Sequence, residues 1–107
     1  MTPPPAFVIV YAHQVKEHLA AIDRRYQRLL REAIEANLHF EPDVETTNRK
    51  PLKRPVAFEA QWELRCGPNN KLRVYYEVNM QNREVHVAAI GVKEGNRLRI
   101  GGEEIAI

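Results

Sequence analysis

The side chains best suited to chemistry lie on two predicted strands in the second half of the chain. Glu63 and Arg65 are two residues apart in one alternating segment, and Arg73 and Tyr75 have the same spacing in the next. Because side chains two residues apart in a strand point to the same side, these four groups are expected on one face of a sheet. Guanidinium groups pair with phosphate oxygens, and a tyrosine ring can stack on a base. The pattern therefore favours an RNA backbone as the ligand.

His86 and Lys93 extend this predicted face, since His86 alternates outward from a third strand and Lys93 follows that strand. Cleavage of RNA without a metal needs a base for the 2′-hydroxyl, cations for the charged transition state and an acid for the leaving oxygen. Glu63 or His86 could exchange the protons. The phosphate could be held by Arg65, Arg73 and Lys93. These five side chains are the candidate catalytic residues.

A proline-containing segment before the first of these strands adds positive charge, with four cationic residues between positions 49 and 54. Its prolines exclude a regular helix and it shows no hydrophobic period, so residues 41–57 are predicted to be a long loop. The residues predicted to contact RNA or the ribosome are Arg49, Lys50, Lys53, Arg54, Tyr75, Arg97 and Arg99.

Charge is unevenly distributed along the chain. Residues 1–48 contain 5 Lys and Arg against 7 Asp and Glu, whereas residues 49–107 contain 11 against 7. The positive second half favours an anionic ligand or an acidic protein partner. A plainer explanation stays open, because the outer face of a half-buried sheet is normally polar and cross-strand pairs of Glu and Arg are common there.

The first part of the chain predicts one strand and two helices. Residues 7–11 are a β-branched and aromatic run, predicted to be a strand inside the sheet with both faces at least partly covered. Apolar residues at helical spacing follow over residues 13–21 and again over residues 26–38. Asp23 lies between the two patterns as a break or N-cap.

Strict alternation then predicts a three-stranded meander over residues 58–66, 72–80 and 85–91, whose apolar face packs on the helices. A short edge strand is expected in the tail, residues 97–107. The predicted inner face carries Phe58, Ala60, Trp62, Leu64 and Cys66, then Leu72, Val74, Tyr76, Val78 and Met80, then Val85, Val87 and Ala89.

Composition and motifs argue against several other classes of protein. The 107 residues fit one domain, and the single cysteine, Cys66, is interpreted as a small core residue in a reducing compartment. The apolar run over residues 6–12 is too short to cross a bilayer, so a cytoplasmic protein without membrane contact is expected. The four histidines lack metal-ligand spacing and no phosphate-loop glycine pattern is present, so neither metal nor cofactor is predicted.

The order of these elements, together with four short strings, resembles the RelE/ParE superfamily of type II toxin–antitoxin toxins over nearly the whole chain. The resemblance implies an α+β, microbial RNase-like fold with an N-terminal strand, a helical hairpin and an antiparallel three- to four-stranded meander. It also implies a cognate antitoxin protein that wraps the toxin and masks its active face in a hetero-oligomer. The strings are Asn48-Arg49-Lys50-Pro51-Leu52, Trp62-Glu63-Leu64-Arg65, Arg73-Val74-Tyr75-Tyr76-Glu77-Val78 and Ala89-Ile90-Gly91-Val92-Lys93.

The resemblance implies two kinds of activity. RelE-like members cut mRNA in the ribosomal A site with a basic cluster on the sheet, whereas ParE-like members poison DNA gyrase and lack the nuclease residues. In this chain the family's two strand lysines fall on Glu63 and Arg65, and its phosphate-holding arginine falls on Arg73. The arginine after the last strand falls near Lys93, and the substrate-stacking tyrosine near Arg99. The expected function is a translation-inhibiting mRNA endoribonuclease with Glu63 as base; a gyrase inhibitor or a catalytically degenerate binding module is the alternative.

Overall fold

The computed structural model of the protein describes residues 6–53 and 60–105. Two helices pack on one face of a seven-stranded sheet in an α+β fold. The helices are α1 (Val15–Ala20) and α2 (Gln27–Leu38), with a 3-10 turn at Arg24–Tyr26 between them. The strands are β1 (Val8–Tyr11), β2 (Arg49–Pro51), β3 (Trp62–Cys66), β4 (Leu72–Asn79), β5 (Glu84–Glu94), β6 (Arg97–Ile100) and β7 (Glu103–Ile105).

Both predicted helices are present, and each buries one stripe. Leu30, Ile34 and Leu38 of α2 are four residues apart and fully buried, because this spacing keeps them on one side of a helix. Asp23 caps the turn before α2, since its carboxylate accepts a hydrogen bond from the Arg25 backbone N–H at 3.0 Å. The predicted break at Asp23 is therefore confirmed.

Strands β2 to β7 form an antiparallel meander in chain order. The meander was predicted from alternation, but its predicted size of three or four strands is too small. The cationic segment predicted to be a loop contains β2, and the tail folds into β6 and β7. Two glycines with positive φ, Gly101 at 62° and Gly102 at 81°, make the tight turn between these last two strands.

β1 lies at an edge of the sheet, where it pairs in parallel with the first part of β5. No strand in the described part of the chain pairs with its other side, and Val8 and Tyr11 are 61% and 45% exposed. The prediction of a strand inside the sheet is wrong, because β1 is an edge strand. Its two faces are covered in part, as predicted, since Ile9 and Val10 point to opposite faces and are both partly buried. An apolar run indicates that a strand packs on a core, but it does not indicate how many neighbours the strand has.

The main hydrophobic core lies between the helices and the inner face of the sheet. The inner-face prediction is confirmed for Leu64 and Cys66 of β3 and for Leu72, Val74 and Tyr76 of β4, all of which are buried there. Cys66 is buried in this core, as predicted, and burial raises the pKa of its thiol to about 11. Phe58, predicted on the same face, lies outside the described residues.

A β-bulge changes the predicted faces of β5. Tyr75 pairs with Ala89 while its neighbour Tyr76 pairs with Val87, so Ala88 is an extra residue in β5. Ala89 therefore lies on the outer face instead of the inner face, and Ile90 takes the inner position. Ala60 also packs with the outer cluster, against its prediction. Alternation assumes an uninterrupted strand, and one added residue inverts every side chain after it.

One edge of β5 pairs with β1 over residues 84–87 and with β6 over residues 91–94. Residues 88–90 between them have no strand partner on that edge, and polar side chains from Gln14, just before α1, and His18, within α1, bind their backbone instead. The Gln14 amide donates to the Ala88 carbonyl at 3.2 Å, and the Ile90 N–H donates to His18 Nδ1 at 3.3 Å. A nitrogen that accepts a hydrogen bond carries no proton, so this contact needs neutral His18. Burial lowers the pKa of His18, with a smaller opposing effect of Glu17.

The substitution His18→Gln removes the titration of this acceptor. Because folding lowers the pKa of His18, the contribution of this residue to stability is complete above its ordinary pKa of 6.5 and is lost as pH falls below it. Between about pH 7 and pH 5, the free energy of unfolding should therefore fall more steeply for the parent protein than for the variant. Urea unfolding at a series of pH values measures the difference, and parallel curves would contradict the assignment.

Candidate functional site

The outer face of β3 and β4 brings together four of the residues predicted from the sequence. Glu63 is directly opposite Tyr75, and Arg65 is directly opposite Arg73 on the neighbouring strand. The two pairs are adjacent along the strands, so the four side chains share one patch of the sheet. The predicted common face is confirmed for these residues, which we call the Glu63 cluster.

The Glu63 carboxylate is the centre of the cluster. Its Oε1 atom accepts hydrogen bonds from Arg65 Nε at 2.7 Å and from Arg73 Nη1 at 2.9 Å. The Tyr75 hydroxyl hydrogen-bonds the same carboxylate. The Glu63 and Arg73 side chains are each 10% exposed, whereas that of Arg65 is 39% exposed. One carboxylate therefore fixes two guanidinium groups, and the cluster keeps a net positive charge.

The electrostatics of the cluster fix the protonation of its members. Burial by itself would raise the pKa of Glu63, but the hydrogen bond from Arg65, the charge of Arg73 and the Tyr75 hydroxyl outweigh it and lower that pKa. Burial and the Glu63 carboxylate raise the pKa of Tyr75. At neutral pH Glu63 is ionised and Tyr75 protonated. A general base works best with a pKa near the working pH, so a lowered pKa makes Glu63 a weak base. Its hydrogen bonds with Arg65 and Arg73 favour a positioning role instead.

A tight turn before β4 fixes Arg73 from its other side. Arg73 Nε donates to the backbone carbonyl of Asn70 at 2.8 Å. Asn69 and Asn70 both have a φ of 54°, a left-handed conformation that asparagine tolerates better than most residues. The sequence showed this segment as a turn, but gave no sign that the turn carbonyl would orient an arginine.

Two lysines lie on the same face on either side of the cluster. Lys50 of β2 is directly opposite Glu63, and its Nζ is 3.4 Å from Glu45 Oε2. Lys93 of β5 is opposite Leu98, whose side chain is on the outer face, and so shares that face. Cations from four successive strands, Lys50, Arg65, Arg73 and Lys93, thus form one band across the outer face. Lys53 is exposed just after β2, and Arg54 lies outside the described residues.

The structure separates His86 from this band. His86 is on the outer face but opposite Glu77, four residues along β4 from Arg73, which is about 13 Å away along the strand. Its Nε2 is 3.2 Å from Glu84 Oε1. His86 therefore does not join the other predicted catalytic residues in one site.

Arg49 has a structural position. Its side chain is buried on the inner side, where Nε donates to the Val44 carbonyl at 2.9 Å and Nη1 to the Asn37 carbonyl at 2.8 Å. The Asn37 carbonyl belongs to the last turn of α2, which an arginine stabilises through the helix dipole. Although predicted to contact RNA, Arg49 anchors the connection between α2 and β2.

Arg97 and Arg99 lie on the opposite side of the sheet from the Glu63 cluster. Arg99 is opposite Val92, which packs on the main core, whereas Leu98 and Ile100 between and beyond the two arginines face outward. Arg97 and Arg99 were predicted to contact the same RNA as the cations of the outer face, but β6 places both on the other face of the sheet.

A second hydrophobic cluster covers part of the outer face that was predicted to be open. Its buried members are Tyr75, Ala89, Leu98 and Ile100, with Leu52, Ala60 and Ile105 packed against them. Gly91 allows β6 to approach, because a Cβ at that position would lie 2.7 Å from the Arg99 carbonyl oxygen and 2.8 Å from Ile100 Cγ1. Tyr75 is therefore buried, and its ring is packed among apolar side chains where it was predicted to stack on a base.

Across residues 6–53 and 60–105, no three His, Cys, Asp or Glu side chains come together as metal ligands. No helix in that part of the chain is long and apolar enough to span a bilayer. Comparisons with protein-family models, with curated proteins and with solved structures give no match.

The substitution Glu63→Gln tests the central role of this carboxylate. It leaves two guanidinium groups, one of them buried, without a counter-charge, so the free energy of unfolding should fall by on the order of 3 kcal/mol. Because the pKa of Glu63 is lowered from 4.5, the loss should persist above pH 4.5 and shrink below it.

The matched control for this prediction is Glu84→Gln, which breaks the more exposed pair with His86. Its free energy of unfolding should change by less than about 1 kcal/mol. Denaturant unfolding of both variants provides the comparison, and equal losses would contradict a special role for Glu63.

Proposed function

We propose that the protein is a toxin of the RelE/ParE kind, which arrests growth by cleaving mRNA at the ribosome and is controlled by a cognate antitoxin. The observation that carries the proposal is the pair of arginines, Arg65 and Arg73, fixed opposite one another by a single carboxylate. Lys50 and Lys93 extend the positive charge on both sides. The resemblance of the sequence supplies the class of target, and the geometry supports an anionic one.

Fixed guanidinium groups suit a phosphate for two reasons. Their hydrogen bonds to Glu63 restrict both side chains before any ligand binds, so less conformational entropy is lost on binding. The band from Lys50 to Lys93 crosses four strands, about 14 Å, which gives an extended polyanion several points of contact. Arg65 is the most accessible member of the Glu63 cluster and is the one we expect to contact phosphate directly.

Cleavage in this proposal depends on positioning and charge. The 2′-oxygen attacks the adjacent phosphorus and loses its proton to water, while the bond from phosphorus to the 5′-oxygen breaks and that oxygen takes a proton from water. The products are a 2′,3′-cyclic phosphate and a 5′-hydroxyl, and Arg65 and Arg73 stabilise the negative charge that develops on the phosphate oxygens. Glu63 holds both arginines in place as an ionised carboxylate.

The substitution Arg65→Gln should reduce mRNA cleavage on the order of 100-fold, because it removes a cation at the developing charge. Primer extension on mRNA from cells that express the protein measures the cleavage. Arg28→Gln on the exposed face of α2 loses the same charge away from the band and should cleave like the parent protein. Clear growth arrest with unchanged mRNA would contradict the nuclease.

A second candidate is a toxin that binds DNA gyrase without cleaving nucleic acid. It is favoured by the lack of a proton-transfer pair near the arginines among the described residues: Glu63 is held ionised, and His86 is distant. A supercoiling assay with purified gyrase tests it. This candidate predicts that micromolar protein inhibits supercoiling by gyrase and that Arg65→Gln weakens this inhibition. Uninhibited supercoiling by a protein that does arrest growth would exclude it.

A further inference from the structure

A second positively charged site lies on the other side of the sheet from the Glu63 cluster. It is a cleft of about 450 Å³ between the α1–α2 connection and the β5–β6 hairpin. Its floor includes Ile22 of the connection and Val92 of β5, both of which also contact the main core. The turn at Gly101 and Gly102 forms its rim. A volume of this order is within the range of small-ligand sites.

The polar lining of the cleft is predominantly cationic. Four cations, Arg25, Lys71, Arg97 and Arg99, face it together with the carboxylates of Asp23 and Glu94. Glu104 pairs with Arg97 beside the cleft, so the net charge is +1. These cations come from the α1–α2 connection, from the residue before β4 and from β6. Only the tertiary structure brings these three parts of the chain together.

The Tyr26 ring organises two of these cations. The Arg25 guanidinium carbon is 4.9 Å from the ring centroid, and Lys71 Nζ is 4.7 Å from it. Cation–π contacts at this distance hold the charges in place without neutralising them. The aromatic ring therefore contacts two of the four cations that line the cleft.

The existing ion pairs leave most of this charge available. Arg25 is 3.3 Å from Asp23 and Arg97 is 3.6 Å from Glu104, and all four side chains are more than half exposed. Exposed pairs of this kind contribute little stability, so an incoming anion can compete with them. Arg97 and Arg99 are two residues apart on β6, which directs both guanidinium groups to the same side.

We propose that this cleft binds a phosphate group, carried by a nucleotide or by an RNA strand, at a site separate from the Glu63 cluster. The excess of cations over carboxylates favours an anion. The two arginine side chains on β6 supply donors for several phosphate oxygens. A single carboxylate has two oxygens and would accept only some of these hydrogen bonds. Arg99 and Lys71 would make the direct contacts, and Arg97 would close the site from the rim.

The test is a titration of the full-length protein followed by backbone amide NMR signals. Adenosine monophosphate should shift the signals of Lys71, Gly101 and Gly102 in a saturable manner, while that of Asn79, at the end of β4 away from both cationic sites, stays unchanged. Adenosine without phosphate should give no such shift. A short oligoglutamate of higher charge should bind more weakly than the phosphate ligand, and equal binding of adenosine or of oligoglutamate would overturn the proposal.

Two further ligands distinguish the sources of the phosphate. A dinucleoside monophosphate with no terminal phosphate presents only a backbone diester. Its binding at the same signals would assign the cleft to an RNA strand, and binding of the monophosphate alone would assign it to a nucleotide. Both results support the phosphate site, and the absence of shifts with every phosphate ligand would overturn it.

The double variant Arg97→Gln/Arg99→Gln should weaken binding at least about tenfold, because it removes charge-assisted hydrogen bonds. The matched control Arg28→Gln/Arg31→Gln removes the same charge from α2, away from the cleft, and should bind as the parent does. Arg65→Gln should also leave this binding intact, so failure of the nuclease proposal and failure of this one are distinguishable. If the glutamine variant does not fold, Arg99→Lys keeps the charge, and unchanged affinity would count against the arginine contacts.

Discussion

The carboxylate of Glu63 is the constraint on which the outer face depends. Arg65 and Arg73 are directly opposite each other on neighbouring strands, an arrangement that is repulsive for like charges. Glu63 accepts a hydrogen bond from each and converts the repulsion into a bridged pair. The Tyr75 hydroxyl is a further partner of Glu63, and the Asn70 carbonyl is a further partner of Arg73. Each of these two nearly buried charges therefore has several hydrogen-bond partners, which a buried ion pair needs in order to be stable.

The second hydrophobic cluster is coupled to this network. Tyr75 belongs to both, because its hydroxyl contacts Glu63 while its ring packs with Ala89 and Leu98. The meander continues into β6 and β7, whose outer-face side chains Leu98, Ile100 and Ile105 pack with Tyr75 and Ala89 and cover part of that face. Sequence alternation predicts a polar outer face, but the second hydrophobic cluster covers part of it and the charged band takes the rest. Gly91 permits the close approach of β6 to β5 on which this cluster depends.

The fold also distributes positive charge over two faces with different partners. On the outer face, Lys50, Arg65, Arg73 and Lys93 form a band around one fixed carboxylate. On the inner side, Arg97 and Arg99 line one cleft with Arg25, Lys71 and Tyr26. The first arrangement is rigid because its charges are hydrogen-bonded and partly buried. The second is open to solvent, and its charges are held by an aromatic ring and by exposed ion pairs.

Local periods of 3.6 and 2 residues were enough to predict the two helices, the three central strands of the meander and the common face of Glu63, Arg65, Arg73 and Tyr75. The remaining features came from long-range contacts. The bulge at Ala88 inverted the end of β5, and the path of β6 moved Arg99 to the other face. The buried contacts of Arg49 removed it from the predicted RNA-contacting surface. Such features depend on contacts between residues far apart in the chain, and a local hydrophobic pattern carries no information about them.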